Sequence, residues 1–267
     1  MRLVYLGTPQ IAVPPLEALV AAGHDVALVV TGPDRRRGRG GATSATPVKQ
    51  AAERLCVPVS HNVDDVLGAD AELGVVVAFG QLIRPHVLAE LPMVNLHFSL
   101  LPRWRGAAPV ERAILAGDTT TGVCVMAVEE QLDTGAVYAS AEVPIGAETT
   151  ADELRAELVE IGTRLLVETL AGGLPEPVPQ TGEPTYAAKI DPAELRIDWS
   201  RPAEEIHRLI RIGGAWTTFR GARLKIHGAR LVDGEIVPTE VQPEGRPRMA
   251  YDAWRNGARP APDERFE

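Results

Sequence analysis

This chain is poor in cysteine, poor in aromatic rings and free of long apolar runs, and each shortage closes a class of explanation. Only Cys56 and Cys124 occur among 267 residues, both in apolar surroundings, so neither a disulfide framework nor a cysteine-based zinc site is expected. Apart from His97, the histidines at 24, 61, 86, 207 and 227 show no ligand spacing, so no metal is expected either. No stretch approaches the ~18 apolar residues of a membrane span, which argues against a membrane partner. The N-terminal MRLVYLGTP runs straight into strand-like sequence without the pattern of a signal peptide, so the expected location is cytoplasmic. The turn Gly7-Thr8-Pro9-Gln10 lacks the GxGxxG fingerprint, and Thr31-Gly32 stands where an acidic ribose partner would be. No GxxxxGK[ST] phosphate loop exists, which disfavours a nucleotide hydrolase.

Charge is present but unevenly spread. The net charge of −9 argues against general nucleic-acid coating. Residues 1–186 hold 13 Lys/Arg against 23 Asp/Glu, whereas residues 187–267 hold 14 against 13. Within 201–230 seven basic residues face two acids, and Arg35, Arg36, Arg37 and Arg39 form a second basic island. Such islands on an acidic protein can steer a polyanion to one face, although solvated arginine-rich surface has the same composition.

Hydrophobic periodicity alternates strands with helices. Strands are predicted at 2–6, 25–30, 56–60, 73–78, 93–98, 121–128 and 136–143, and helices at 14–22, 47–55, 81–90, 108–116 and 151–171. The continuous apolar run Leu73–Ala78 suits a central parallel strand. The pattern predicts an α/β domain over 1–171 with a mostly parallel sheet covered on both faces. Residues 172–186 are rich in proline and glycine and read as an extended linker. The remainder, 187–267, reads as a small β-rich domain with a helix at 202–211, β segments around 216–232 and a loosely ordered tail from 242.

The most informative stretch is Asn95-Leu96-His97-Phe98-Ser99-Leu100-Leu101-Pro102, followed by Arg103-Trp104-Arg105-Gly106 and later by Leu132-Asp133-Thr134-Gly135. On a strand, Asn95, His97 and Ser99 leave one face while Leu96 and Phe98 leave the other. Taken singly, His97 reads as a satisfied core histidine and Asp133 as a turn residue. Jointly they place an amide, an imidazole and a carboxylate near strand ends, where open α/β sheets bind ligands. That combination suits acyl transfer.

The run Asn95-x-His97-x-Ser99-Leu100-Leu101-Pro102-x-x-Arg105-Gly106-Ala107-x-Pro109, with Leu132-Asp133-Thr134-Gly135, resembles the formyltetrahydrofolate-dependent formyltransferases. The resemblance covers essentially the whole chain, through Pro33-Asp34-Arg35, Gly38-Arg39-Gly40, Pro47-Val48-Lys49, Tyr186–Lys189, Arg196–Ser200 and Gly214–Thr217. The last two segments favour the branch acting on methionyl-tRNA over the sugar-modifying branch. Three departures stand out. Phe98 replaces a common glycine, Gly41 and Ala42 replace lysines, and the stretches at 212–214 and 232–241 are shortened.

The resemblance implies a Rossmann-like formyltransferase fold with a small, shortened OB-like C-terminal domain. It implies Asn95, His97 and Asp133 as catalytic residues, with Asp133 favouring the charged imidazole. It implies 10-formyltetrahydrofolate as cosubstrate, in a pocket lined by Phe79, Gly80, Gln81, Leu82, Ile83, Ser99, Leu100, Leu101, Pro102 and Val128. Methionyl-initiator tRNA is the implied partner, met by Arg39 first and by Arg35, Arg36, Arg37 and Lys49 in support. A monomer is the default expectation. Competing readings are a nucleotide-sugar N-formyltransferase, a formate-releasing hydrolase of the same cofactor, and a non-catalytic tRNA- or folate-binding protein.

Overall fold

The computed structural model describes residues 1–36, 43–261 and 263–267. Arg37 and Arg39 therefore lie outside the described residues, and for Arg35 and Arg36 the description is confined to the backbone. Strand β1 (Arg2–Gly7) leads through a short 3-10 turn into α1 (Val13–Ala21). Pro14 and Pro15 sit in its first turn, where a missing N–H breaks no helical bond. Strand β2 (Asp25–Val30) follows, then the paired two-residue strands β3 (Arg35–Arg36) and β4 (Thr43–Ser44). Helix α2 (Pro47–Arg54) starts at Thr46, whose hydroxyl accepts the Lys49 N–H at 3.1 Å, a cap reinforced by Pro47.

The chain continues through β5 (Val59–Ser60), β6 (Leu73–Val77), α3 (Pro85–Glu90), β7 (Met93–His97) and β8 (Arg105–Gly106). Next come α4 (Pro109–Ala116), β9 (Thr120–Ala127), β10 (Val137–Pro144) and α5 (Ala151–Ala171). Two predictions need correction. The strand expected at 56–60 shrinks to Val59–Ser60, the two residues that pair in register with Val29 and Val30 of β2. The helix expected at 81–90 begins only at Pro85, because a residue before proline is pushed out of the helical region and Arg84 is extended.

Seven strands form one sheet in the order β10-β9-β7-β6-β1-β2-β5. From β7 to β5 every pair is parallel, whereas β9 runs antiparallel to β7 and β10 antiparallel to β9. The central strands are buried on both faces, as β6 shows along its whole length. Burying roughly 25 cal/mol for each Å² of that apolar surface makes this sheet the rigid base on which a polar row can stand. Among the described residues, no helix is long and apolar enough to cross a membrane.

The chain divides into two compact units with interleaved boundaries. The first comprises 1–106, 120–144 and 155–186, and the second 107–119, 145–154 and 187–267. After β11 (Tyr186–Ala187), the second unit contains α6 (Ala203–Arg211) and a four-stranded antiparallel sheet. Its strands are β12 (Trp216–Phe219), β13 (Ala222–Val232), β14 (Glu235–Pro243) and β15 (Met249–Ala250), followed by α7 (Tyr251–Ala258).

The tail expected to be loose is ordered. Strand β14 pairs with β13, and the last residue exchanges backbone hydrogen bonds with Thr218 at 2.9 and 3.1 Å. Phe266 stacks on Trp199 at 5.2 Å between ring centroids and meets Phe219 edge-on at 6.1 Å. Three aromatic residues spread over the tail, Tyr251, Trp254 and Phe266, thus close a core that its proline and arginine content concealed.

Candidate active site

Strand β7 carries Asn95 half-buried and His97 buried, on the same face because side chains alternate. Phe98 turns away and is accommodated at 7% exposure. Ser99 continues the polar row, but its hydroxyl is fully buried and donates to the Arg103 carbonyl at 2.6 Å. The serine shapes the following turn rather than facing a substrate. Among the described residues, no hydrogen bond engages the Asn95 carboxamide, which leaves its N–H groups available.

His97 is oriented by a backbone atom. Its Nε2 lies 2.9 Å from the carbonyl oxygen of Trp104, which only accepts, so Nε2 carries a hydrogen. Nδ1 is then the atom that gains or loses a proton, and it lies 3.7 Å from Asp133 Oδ2. That separation allows charge–charge attraction and exceeds a direct hydrogen bond. The same Oδ2 accepts the Gly106 N–H at 2.8 Å. Residues 104–106 thus form a short ledge, orienting the imidazole from Trp104 and the carboxylate from Gly106.

Asp133 arrives by an unexpected route. Because β9 is antiparallel, its end at Ala127 lies beside Val94, while His97 pairs with Cys124. The β9–β10 loop therefore folds back along β7 to bring Asp133 to His97. Two local features allow this. Asp133 adopts a left-handed conformation at φ 51°, which aspartate tolerates better than most residues. Gly135 approaches Ala127 so closely that a Cβ there would collide with the Ala127 carbonyl. Cys124 is no competing nucleophile, since burial pushes its thiol up to about 11.

The remaining predicted cosubstrate residues fall into two groups. Phe79 is 5% exposed in the core cluster of Val4, Leu6 and Met93, and Ile83 and Val128 pack against that cluster. Gly80, Gln81 and Leu82 lie exposed on the loop after β6, Leu82 at 78%. Leu100, Leu101 and Pro102 are half-buried, and the Leu101–Pro102 peptide is cis. An apolar wall backed by core, with an exposed loop beside it, has the composition of a ligand slot.

The basic residues behave differently. Lys49 Nζ lies 2.8 Å from Asp34, and that hydrogen bond raises the ammonium above its ordinary value. In the second unit, Arg208 donates to the Leu115 carbonyl at 3.1 Å and Arg211 to the Thr149 carbonyl at 2.8 Å. Arg201 pairs with Glu205, and Arg220 with Glu264 at 2.6 Å. Arg223 stacks over Trp216 at 4.1 Å. Much of the basic excess at 201–230 therefore holds the unit together. Sequence reasoning missed the ledge carbonyl of Trp104 and also Gln180, whose long-range contacts leave no local signature.

Among the described residues, no cluster of His, Cys, Asp and Glu is placed to hold a metal ion. An amide, an imidazole and a carboxylate stand beside the C-terminal end of a parallel strand in an open α/β sheet, an arrangement chemically suited to acyl transfer. The formyl transferase family matches residues 1–170, and the formyl transferase C-terminal domain matches 189–238. A methionyl-tRNA formyltransferase of Dinoroseobacter shibae is 50% identical over 252 residues, spanning 88% of this chain and 84% of that one. Methionyl-tRNA formyltransferase from Clostridium thermocellum shares the fold at TM-score 0.70 and 18% identity, covering 91% of this chain and 98% of that one. HypX from Aquifex aeolicus, solved with tetrahydrofolic acid, shares it at TM-score 0.66 and 15% identity, covering 96% of this chain and 47% of that one. The chain belongs to the methionyl-tRNA formyltransferase family.

Proposed function

We propose that this enzyme transfers the formyl group of 10-formyltetrahydrofolate to the α-amine of methionine esterified to initiator tRNA. In that reaction a new C–N bond forms at the formyl carbon as the bond to the folate nitrogen breaks. One proton passes from the attacking nitrogen to the leaving one. The observation that carries the reading is the His97 geometry: Nε2 is fixed by a carbonyl and Nδ1 faces a carboxylate 3.7 Å away.

Each residue then has a distinct task. Asn95 donates an N–H to the oxygen that becomes negative at the tetrahedral stage, an interaction worth roughly 3–4 kcal/mol of barrier. His97 hands a proton on at Nδ1, and Asp133, 3.7 Å from that nitrogen, can order the water through which the proton moves. General acid–base help of this kind contributes about 10²–10⁴ in rate. The wall of Phe79, Ile83 and Val128, with the 80–82 loop and the 99–102 turn, is the proposed seat of the pterin.

For tRNA, Arg39 is the foremost proposed phosphate contact, supported by Arg35, Arg36, Arg37 and Lys49. The Asp34 partner of Lys49 makes that lysine the weakest of the set, since a paired ammonium releases fewer counterions. A cytoplasmic location accords with a role in translation initiation, and a monomer is the proposed state.

One assay separates the rival chemistries. Purified protein is incubated with 10-formyltetrahydrofolate and either methionyl-tRNA or a nucleotide amino sugar. Formylmethionyl-tRNA is the expected product; formyl-sugar alone, free formate alone, or no turnover would each refute the proposal.

A further inference from the structure

We infer that Gln180 is a positioning residue for formyl transfer, clamping the Asp133 loop to the ledge that orients His97. The inference rests on the reaction proposed above. Gln180 is half-buried in the segment after α5, and all four hydrogen-bonding positions of its side-chain amide are used. Oε1 accepts from Arg105 Nε at 3.1 Å and from Arg105 Nη2 at 2.6 Å. Nε2 donates to the Asp133 carbonyl at 2.9 Å and to the Gly135 carbonyl at 2.8 Å. A guanidinium only donates and a carbonyl only accepts, so the orientation of the amide is unambiguous.

The position of these contacts gives the clamp its consequence. Arg105 lies between Trp104, whose carbonyl holds His97 Nε2, and Gly106, whose N–H holds the Asp133 carboxylate. Gln180 ties that ledge to the backbone of Asp133 itself, closing a ring of bonds around the imidazole–carboxylate pair. Both arms contain a non-glycine residue in the left-handed region, Trp104 at φ 63° and Asp133 at φ 51°. Such conformations persist only where surrounding bonds over-determine them. Thr185, from the same segment, adds two more by accepting Trp104 N–H at 2.9 Å and Arg105 N–H at 2.9 Å.

The test compares Gln180→Ala with Gln180→Glu. Glutamate keeps the contact with Arg105 but presents oxygen to two carbonyls, so it loses the donor half of the clamp. Both variants are expected to lower kcat by roughly 10–100-fold, because small misplacements of reacting groups act on the transition state. KM for 10-formyltetrahydrofolate and for methionyl-tRNA should stay within about twofold, with Tm little changed. Hydrogen–deuterium exchange over 131–136 should quicken in both. Wild-type kcat in either variant, or a parallel loss of kcat, KM and Tm, would overturn the inference. If the wild-type protein formylates nothing, the functional proposal fails instead. Exchange still judges the clamp in that case: unchanged rates in both variants sink it, and faster rates sustain it.

Discussion

The site end of the large sheet and the small C-terminal unit solve opposite problems. Around His97 the sheet is so thoroughly buried that polar groups can be held by a few bonds to backbone atoms, at Trp104 and Gly106. In the C-terminal unit the cluster that includes Ile206, Leu224 and Val241 is small and is flanked by partly buried side chains. Half-exposed aromatics and ion pairs complete it. Tyr251 stacks on Trp254 at 5.5 Å, while Arg112–Glu194 and Arg220–Glu264 pair at 2.7 and 2.6 Å. Where burial is abundant, polar groups are available for chemistry; where it is scarce, they hold structure.

Four measurements press on this contrast. The largest effect belongs to His97→Ala and Asp133→Asn, which should lower transfer by about 10²–10⁴ with folate affinity changed less than a fewfold. Activity near wild type in both would mean the polar row is structural, as in the other unit. Gly135→Ala comes next, since its Cβ meets the Ala127 carbonyl; about 3 kcal/mol of stability should be lost in urea denaturation. A neutral result would show the Asp133 loop to be slack.

Phe266→Ala should remove about 2 kcal/mol from the C-terminal unit, read by tryptophan fluorescence as urea rises. An unchanged midpoint would demote the aromatic closure. Acid sensitivity is the smallest effect. Arg112 and Arg220 hold Glu194 and Glu264 down to about 2, below the ordinary 4.5. A depressed carboxylate stabilises the fold above its unfolded value, and that contribution fades as pH falls from 4.5 through about 2. Glu194→Gln and Glu264→Gln should therefore flatten the acid limb of the unfolding curve, and an equally steep limb would contradict the pairing.

Some of this was legible in advance. Pro47 and Pro109 mark helix starts, and α5 runs over the residues its pattern predicts, 151–171. The polar row of Asn95 and His97 follows from alternation alone. Other features were not legible. Strand β14 went unread because β13 and β14 present mixed burial, with no clean alternation to detect. The arginines of 201–230 look available for phosphate until their carbonyl and carboxylate partners are seen.

Local rules were therefore enough for most of the element order in the first 171 residues, for the open α/β class and for the polar row of Asn95 and His97. Each depends on residues a few positions apart. Three-dimensional packing settled how the groups meet: the antiparallel β9 returning Asp133 along β7, the Trp104 carbonyl holding Nε2 of His97 so that Nδ1 faces Asp133, and Gln180 bridging to Asp133 across 47 positions of chain. A hydrogen bond between distant segments has no period and no composition to announce it. It exists only once burial of the intervening chain has brought its two ends together.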